Sequence, residues 1–196
     1  HANGLTEARA LAEPHPSLWR KIGYRLFPER VPIALLPKGY LTPVDGEATY
    51  GELLLERSFL YVDLIKACFA RGVKMHAVLP ITGGGMKKIM RGSKAWIYRI
   101  EELCEPHPIF GFIQEHAGLT DEEAYGIFNM GNGIAIILPS NHVSGFLSAA
   151  HECGYKAIHA GRVVSNPQKE RKKVVLAQKK VSYEEDVFGL SLADVN

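Results

Sequence analysis

The sequence predicts a mixed α/β (α+β) domain, with a largely antiparallel sheet covered by helices. Short apolar runs of strand length alternate along the chain with longer segments whose apolar residues recur every three or four positions. The 196 residues are 46% hydrophobic and 22% charged, which is ordinary for a globular domain with a core. We therefore treat residues 1–196 as one domain, with no internal repeat.

Composition argues against several classes of partner. A net charge of +2 is too small to indicate nucleic acid or a membrane surface, since both need a concentrated basic face. No apolar run reaches the roughly 20 residues that span a bilayer. Cys68, Cys104 and Cys153 lack the spacing of a disulfide framework or a zinc site. We expect a cytoplasmic protein without a metal ligand set, nucleic acid or membrane partner.

The first third of the chain is predicted to contain short elements. Asn3 is a suitable cap for a helix over 5–12, and five prolines then interrupt the segment 13–50. We interpret this segment as a proline-rich insertion or arm. Apolar positions from Gly51 to Arg71 recur at helical spacing, which predicts one helix whose core-facing residues are Leu54, Leu55, Phe59, Val62, Leu64, Ile65 and Phe69.

The remaining elements alternate between strand and helix patterns. Strands are predicted over 75–79, 95–100, 134–138, 157–164 and 174–181. Helices are predicted over 86–91, 109–116, 121–128 and 141–154, and the third begins with the capping box of Thr120 and Glu123. Between the last two strands we interpret four basic residues as a solvated hairpin turn: Lys169, Arg171, Lys172 and Lys173.

Gly83, Gly84 and Gly85 lie between a predicted strand and a predicted basic helix. Successive glycines let the backbone adopt positive φ and bring its amides close to a ligand, and a helix beginning near Met86 would add its dipole. Lys87, Lys88 and Arg91 cluster just after them. The residues alone are consistent with two hypotheses for this segment. It is either a phosphate site, or a tight strand-to-helix connection followed by solvated lysines.

Three patterns, in this order, resemble the C-terminal domain of the phosphoribosylformylglycinamidine cyclo-ligases, the aminoimidazole ribonucleotide (AIR) synthetases of purine biosynthesis. His1-Ala2-Asn3-Gly4 with Arg9 is similar to a His-Ser-Asn-Gly pattern followed by Arg. The segment 82–85 matches the end of His-x-Thr-Gly-Gly-Gly. A Tyr-x-x-Phe-Asn-x-Gly-x-Gly pattern is matched by Tyr125, Phe128, Asn129, Gly131 and Gly133.

This resemblance implies a divergent, AIR synthase-related domain whose ATP-binding, dimer-forming N-terminal domain is absent from this chain. It implies ATP with Mg²⁺, a small phosphorylated substrate, the N-terminal domain as partner and a homodimer. In the implied reaction ATP activates an amide or formyl oxygen by phosphoryl transfer, and an internal nitrogen then closes a ring. The isolated chain is expected to be an inactive part of such a ligase.

The resemblance also assigns roles to residues. His1 is the candidate catalytic residue, and Asn3 would lie with it near the interdomain cleft. Substrate or phosphate would be bound by the first glycine segment and its neighbours, with support from the second: Thr82, Gly83, Gly84, Gly85, Lys87, Asn129 and Gly131.

One departure from the family pattern leaves other functions open. Pro80 stands where the family has His, and proline offers neither an imidazole nor an amide. Two alternatives follow. Beside the cyclo-ligase function, the chain could be a non-catalytic member of the superfamily, or part of a related ATP-dependent enzyme that acts on another small phosphorylated metabolite.

Overall fold

A computed structural model describes residues 5–12, 36, 38–44, 46, 48–92, 94–167 and 171–186. The predictions for His1 and Asn3, and most of those for the proline-rich segment 13–50, lie outside these residues.

The described helices follow the caps and glycines of the sequence at most of their ends. The capping box of Thr120 is formed, because its hydroxyl accepts from the amide of Glu123 while the Glu123 carboxylate accepts from the amide of Thr120. The helices are α1 (Leu5–Ala12), α2 (Tyr50–Leu55), α3 (Val62–Ala70), α4 (Pro108–His116), α5 (Asp121–Ile127) and α6 (Val143–Glu152). Short 3₁₀ helices cover Gly39–Leu41, Gly85–Arg91, Ser140–His142 and Ala177–Lys179.

The described strands form two open sheets, which confirms the mixed α/β class. They are β1 (Ala77–Pro80), β2 (Trp96–Ile100), β3 (Ile134–Ile137), β4 (Gly161–Ser165), β5 (Arg171–Leu176) and β6 (Val181–Asp186). β1 and β3 pair antiparallel in a small sheet, and the larger sheet has the order β4-β2-β5-β6. In the larger sheet only β2 and β5 run parallel among the described strands.

The core lies between the larger sheet and the helices that cover it. Val174 and Leu176 of β5 are fully buried in one hydrophobic cluster with Met86 and Met90 of the 3₁₀ helix and with residues of α4 and α5. A smaller cluster joins α3 to α6 through Leu64, Cys68, Val73, Ala149 and Ala150. The 3₁₀ helix that follows the glycines is thus fixed by the main core.

The single helix predicted over 51–71 is wrong, because the chain forms two helices with an extended segment between them. The predicted core face is also largely wrong. Leu64 is buried, but four of the other residues are between 58% and 85% exposed: Leu55, Phe59, Val62 and Phe69. Since α2 and α3 are separate, apolar residues at a continuous helical spacing no longer share one face.

The predicted strand over 174–181 and the basic hairpin turn before it are also wrong. β5 begins at Arg171, and the turn lies at 177–180, where Lys180 has a φ of 55°. Lys172 is buried at 1% exposure, on the face of β5 that also buries Val174 and Leu176. Strand alternation explains this, since every second side chain faces the core and a lysine stem is apolar.

Candidate functional site

The structure brings the two glycine segments together. We name residues 82–85 the first turn and residues 129–133 the second turn. The first turn follows β1 and the second precedes β3, and the antiparallel pairing of these strands puts both turns at one end of the small sheet. The amide of Ile81 donates to the carbonyl of Gly133 at 3.0 Å, and the amide of Gly84 donates to that of Ile127 at 3.3 Å.

Gly84 and Gly85 serve the packing of the first turn. Their φ angles are 94° and 53°, in the left-handed region that favours glycine. The amide of Gly85 donates to the carbonyl of Thr82 at 2.9 Å. A Cβ on Gly85 would overlap the carbonyl oxygen of Tyr125 and lie 2.7 Å from that of Phe128. The amides of Gly84 and Gly85 are therefore engaged by the protein itself.

Gly83 has a different environment from its neighbours. It is exposed, and no heavy atom lies within 4 Å of the position that a Cβ would take. The half-buried Thr82 precedes it. Gly83 is thus the point of the first turn at which the backbone is open to an approaching ligand.

Lys88 is the lysine that lies over the first turn. Its Cε is 3.1 Å and its Nζ is 3.9 Å from the Cβ position of Gly84. The Nζ of Lys87 instead lies 5.2 Å from the centre of the Tyr183 ring, on the side of α5 and β6. Lys87, the lysine that the sequence suggests, thus lies against Tyr183, and its neighbour Lys88 lies over the glycines.

The second turn is a rigid support. The Oδ1 of Asn129 accepts from the amide of Gly131 at 3.1 Å, and the buried Met130 has a left-handed φ of 45°. A Cβ on Gly131 would lie 2.5 Å from the carbonyl oxygen of Glu105. The Oδ1 of Asn132 accepts from the amide of Cys104 at 3.0 Å. Asn129 therefore braces the turn internally, while Gly131 and Asn132 hold it against the segment that precedes α4.

A phenol and a thiol flank the second turn, and sequence reasoning did not select either. The Tyr61 hydroxyl lies against Gly133, and burial raises its pKa. Burial, and after it the Glu102 carboxylate, raises the pKa of the Cys104 thiol. Both groups are held in their neutral forms, in which a thiol is a poor nucleophile.

His107 follows Pro106, whose Cα is 3.0 Å from the Cβ position of Gly131. The Nδ1 of His107 accepts from the amide of Ile109 at 3.4 Å, and its Nε2 lies 3.2 Å from the Oε2 of Glu56. Since both ring nitrogens are engaged, the imidazole caps α4 and ties it to the end of α2. No sequence pattern signalled this pairing.

Pro80 ends β1 and is exposed, opposite Ile134 in the small sheet.

The described residues contain no group of three His, Cys, Asp or Glu side chains arranged to hold a metal ion. The part of the chain that the structure describes also has no helix long and apolar enough to cross a membrane. Chemically, the two turns offer a backbone surface and one lysine, which suits the binding of an anion.

No family model matches this chain. Several curated proteins named phosphoribosylformylglycinamidine cyclo-ligase are similar to it. The protein of Methanosarcina acetivorans is 31% identical over 169 residues, which cover 85% of this chain and 42% of the relative. That of Methanosarcina mazei is 35% identical over 127 residues, or 63% of this chain and 35% of the relative. That of Methanocaldococcus jannaschii is 30% identical over 137 residues, 67% of this chain and 39% of the relative. The chain thus spans less than half the length of these relatives.

Proposed function

We propose that this chain, a relative of the phosphoribosylformylglycinamidine cyclo-ligases, is the substrate- and phosphate-binding C-terminal domain of an ATP-dependent enzyme of that type. The substrate is a small phosphorylated metabolite. The reaction belongs to purine biosynthesis or is closely related to it, and the enzyme acts in the cytoplasm.

The observation that supports this proposal is the pairing of the two turns. Glycine segments 44 residues or more apart in the sequence meet at one end of the small sheet, where the amide of Ile81, just before the first turn, donates to the carbonyl of Gly133 in the second turn. The exposed Gly83 and the side chain of Lys88 lie at the first turn. A phosphate needs positive charge and backbone that can approach closely. The Gly83 backbone and Lys88 supply these, while the end of α5 and Gly133 of the second turn hold the first turn in position.

Catalysis in such an enzyme depends mainly on the placing of groups and on electrostatic stabilisation. Lys88 is proposed to hold the substrate phosphate, and the hydroxyl of Thr82 to donate to one of its oxygens. His1 and Asn3, which the resemblance places near the cleft, would act from the N-terminal side.

ATP and its Mg²⁺ are assigned to the separate N-terminal domain that the resemblance implies. When bound there, ATP supplies the phosphoryl group that activates the substrate oxygen. Because the described residues of this chain offer no metal-ligand cluster, the ligands of the metal are assigned to that domain as well. The isolated chain is accordingly expected to bind substrate without turnover.

Pro80 supports a second candidate, a non-catalytic member of the same family that keeps the binding surface. Proline at the exposed end of β1 cannot donate or accept a proton. A longer polypeptide that joins this chain to the N-terminal domain separates the candidates. ADP release with formylglycinamidine ribonucleotide and ATP supports the enzyme, whereas binding of the ribonucleotide without ADP release supports the non-catalytic protein.

The binding claim is tested on the chain itself by titration calorimetry with formylglycinamidine ribonucleotide. Lys88→Ala is expected to weaken binding about tenfold, because the loss of one charge-assisted contact to phosphate costs about 1.4 kcal/mol. Lys87→Ala is the matched control, since it removes an equal charge one residue away and should change affinity less than about twofold.

Equal losses in both variants would contradict the assignment, because they would indicate attraction to net charge rather than to a site. Absence of binding by the unaltered chain would reject the proposed function as a whole.

A further inference from the structure

Helix α3 is apolar on two opposite sides. Leu64 and Cys68, four residues apart, face the smaller hydrophobic cluster and are buried. Val62 and Phe69 are 58% and 69% exposed, with the half-buried Ile65 beside them. Residues seven apart on a helix lie within about 20° of each other, so Val62 and Phe69 form one outward stripe. A helix buried on a single side carries no such stripe.

The segment that leads into α3 is apolar and exposed as well, since Phe59 and Leu60 are 71% and 77% exposed. The Tyr155 hydroxyl donates to the carbonyl of Leu60 at 2.7 Å. The ring centre of Phe59 lies 6.2 Å from that of Tyr155, in an edge-on arrangement. This segment is therefore held in place by Tyr155, which follows α6, so the surface is already formed before any partner arrives.

We name Phe59, Leu60, Val62 and Phe69 the outer patch. Together they expose roughly 500 Å² of apolar surface, which is in the range of patches that mark interaction sites on monomeric proteins. Exposed apolar residues are ordinary when they are scattered, but these four fall within eleven residues of the sequence.

We infer that the outer patch binds a second copy of this chain, with the two α3 helices antiparallel about a two-fold axis. In such a pair, the start of one helix lies opposite the end of the other, so that Leu60 of one protomer meets the partner's Phe69. The same register sets Asp63 opposite the partner's Lys66. Both side chains are exposed, on the same flank of α3.

The charge pattern of this flank is thus complementary to itself only in the antiparallel arrangement. An antiparallel pair brings identical flanks together, which gives two Asp63–Lys66 contacts between protomers. A parallel pair about a two-fold axis along the helices instead places the two identical flanks on opposite sides of the interface, so that the Asp63–Lys66 contacts do not form. The pattern therefore selects one orientation.

The available area indicates a weak dimer. Two patches bury roughly 1,000 Å² in total, which is at the lower limit for a specific interface. This interface is separate from the homodimer that the family resemblance assigns to an N-terminal domain. It also does not depend on the proposed function, because neither turn of the candidate site contributes to the patch.

Sedimentation equilibrium of the full chain, between about 2 and about 200 µM, is the test. The chain should show a monomer–dimer equilibrium, and Phe69→Lys should weaken dimerisation at least tenfold. Val163→Lys on β4 is the control, because Val163 is an exposed apolar residue, at 37%, outside the patch. Circular dichroism checks that each variant keeps the fold.

Charge reversal tests the orientation. Asp63→Lys and Lys66→Asp should each weaken the dimer about fivefold, and the double variant should restore it, because the contacts re-form with opposite sign. A chain that stays monomeric over the whole concentration range would overturn the proposal, and would leave the patch to another occupant. A dimer that Phe69→Lys does not affect, or a double variant weaker than both single ones, would overturn it as well.

Discussion

The two turns of the candidate site contain similar glycine patterns in different surroundings. In the second turn, a Cβ on Gly131 would meet backbone atoms of Glu105, and one on Gly133 would meet the Tyr61 hydroxyl. In the first turn, Gly85 is equally confined, but Gly83 faces open space and Gly84 faces only the stem of Lys88. In the second turn, protein atoms confine both glycines, whereas in the first turn Gly83 is open to solvent.

Glycines that look alike in a sequence pattern can therefore be required for two different reasons. Gly85 and Gly131 are required because another part of the same chain approaches where a Cβ would be. At Gly83 no part of the chain approaches the Cβ position, and the proposed phosphate contact would give this glycine a different reason. Substitutions at these positions should therefore separate loss of stability from loss of binding.

The largest effect is expected for Gly85→Ala. Its methyl group would overlap the carbonyl oxygen of Tyr125 at the end of α5, and the φ of 53° is unfavourable for alanine. Backbone displacement and the left-handed conformation together should lower the free energy of unfolding by about 3 kcal/mol or more, measured by urea denaturation. Gly72→Ala is the control. It has a φ of 65° but no atom within 4 Å, so it should cost only about 1 kcal/mol. Equal costs would mean that α5 does not confine the first turn.

A smaller effect is expected within the second turn, where the two glycines should differ. Gly131→Ala meets the carbonyl of Glu105 at 2.5 Å with a φ of 83°, and should cost about 2 to 3 kcal/mol in urea denaturation. Gly133→Ala meets only the end of the Tyr61 side chain, which can move, and should cost about 1 kcal/mol. If contact with Tyr61 is the cause, adding Tyr61→Phe should recover part of the Gly133→Ala loss. A double variant whose costs simply add would contradict this.

The features that were predictable from the sequence depend on local contacts. The capping box at Thr120 and Glu123 lies within four residues, so the start of α5 could be predicted. The same holds for Gly84, Gly85 and Gly131, since glycine favours the left-handed backbone that these residues adopt. The sequence could not distinguish which glycines of the two turns face protein and which face solvent, because the confining atoms belong to distant segments.

The failures have long-range causes. The break between α2 and α3 contains neither glycine nor proline, and the Leu60 carbonyl there is held by Tyr155, 95 residues away. The prediction that Val62 and Phe69 face the core is wrong because the spacing of apolar residues identifies one side of a helix but not what, if anything, packs against that side. The sequence cannot choose Lys88 over Lys87, because the Tyr183 ring beside which Lys87 lies belongs to β6, far along the chain.

The smallest structural effect, and the clearest functional one, is expected for Gly83→Ala. Since the Cβ position is open and φ is not left-handed, alanine should leave the urea midpoint unchanged or raise stability by about 0.5 kcal/mol through the unfolded state. If a phosphate approaches the backbone here, the same methyl group should weaken binding of formylglycinamidine ribonucleotide severalfold in calorimetry. Gly111→Ala, at an equally open position in α4, should stabilise the helix without changing affinity. Unchanged affinity in Gly83→Ala would mean that the first turn, like the second, is only a connection, and the contrast between them would then be one of packing alone.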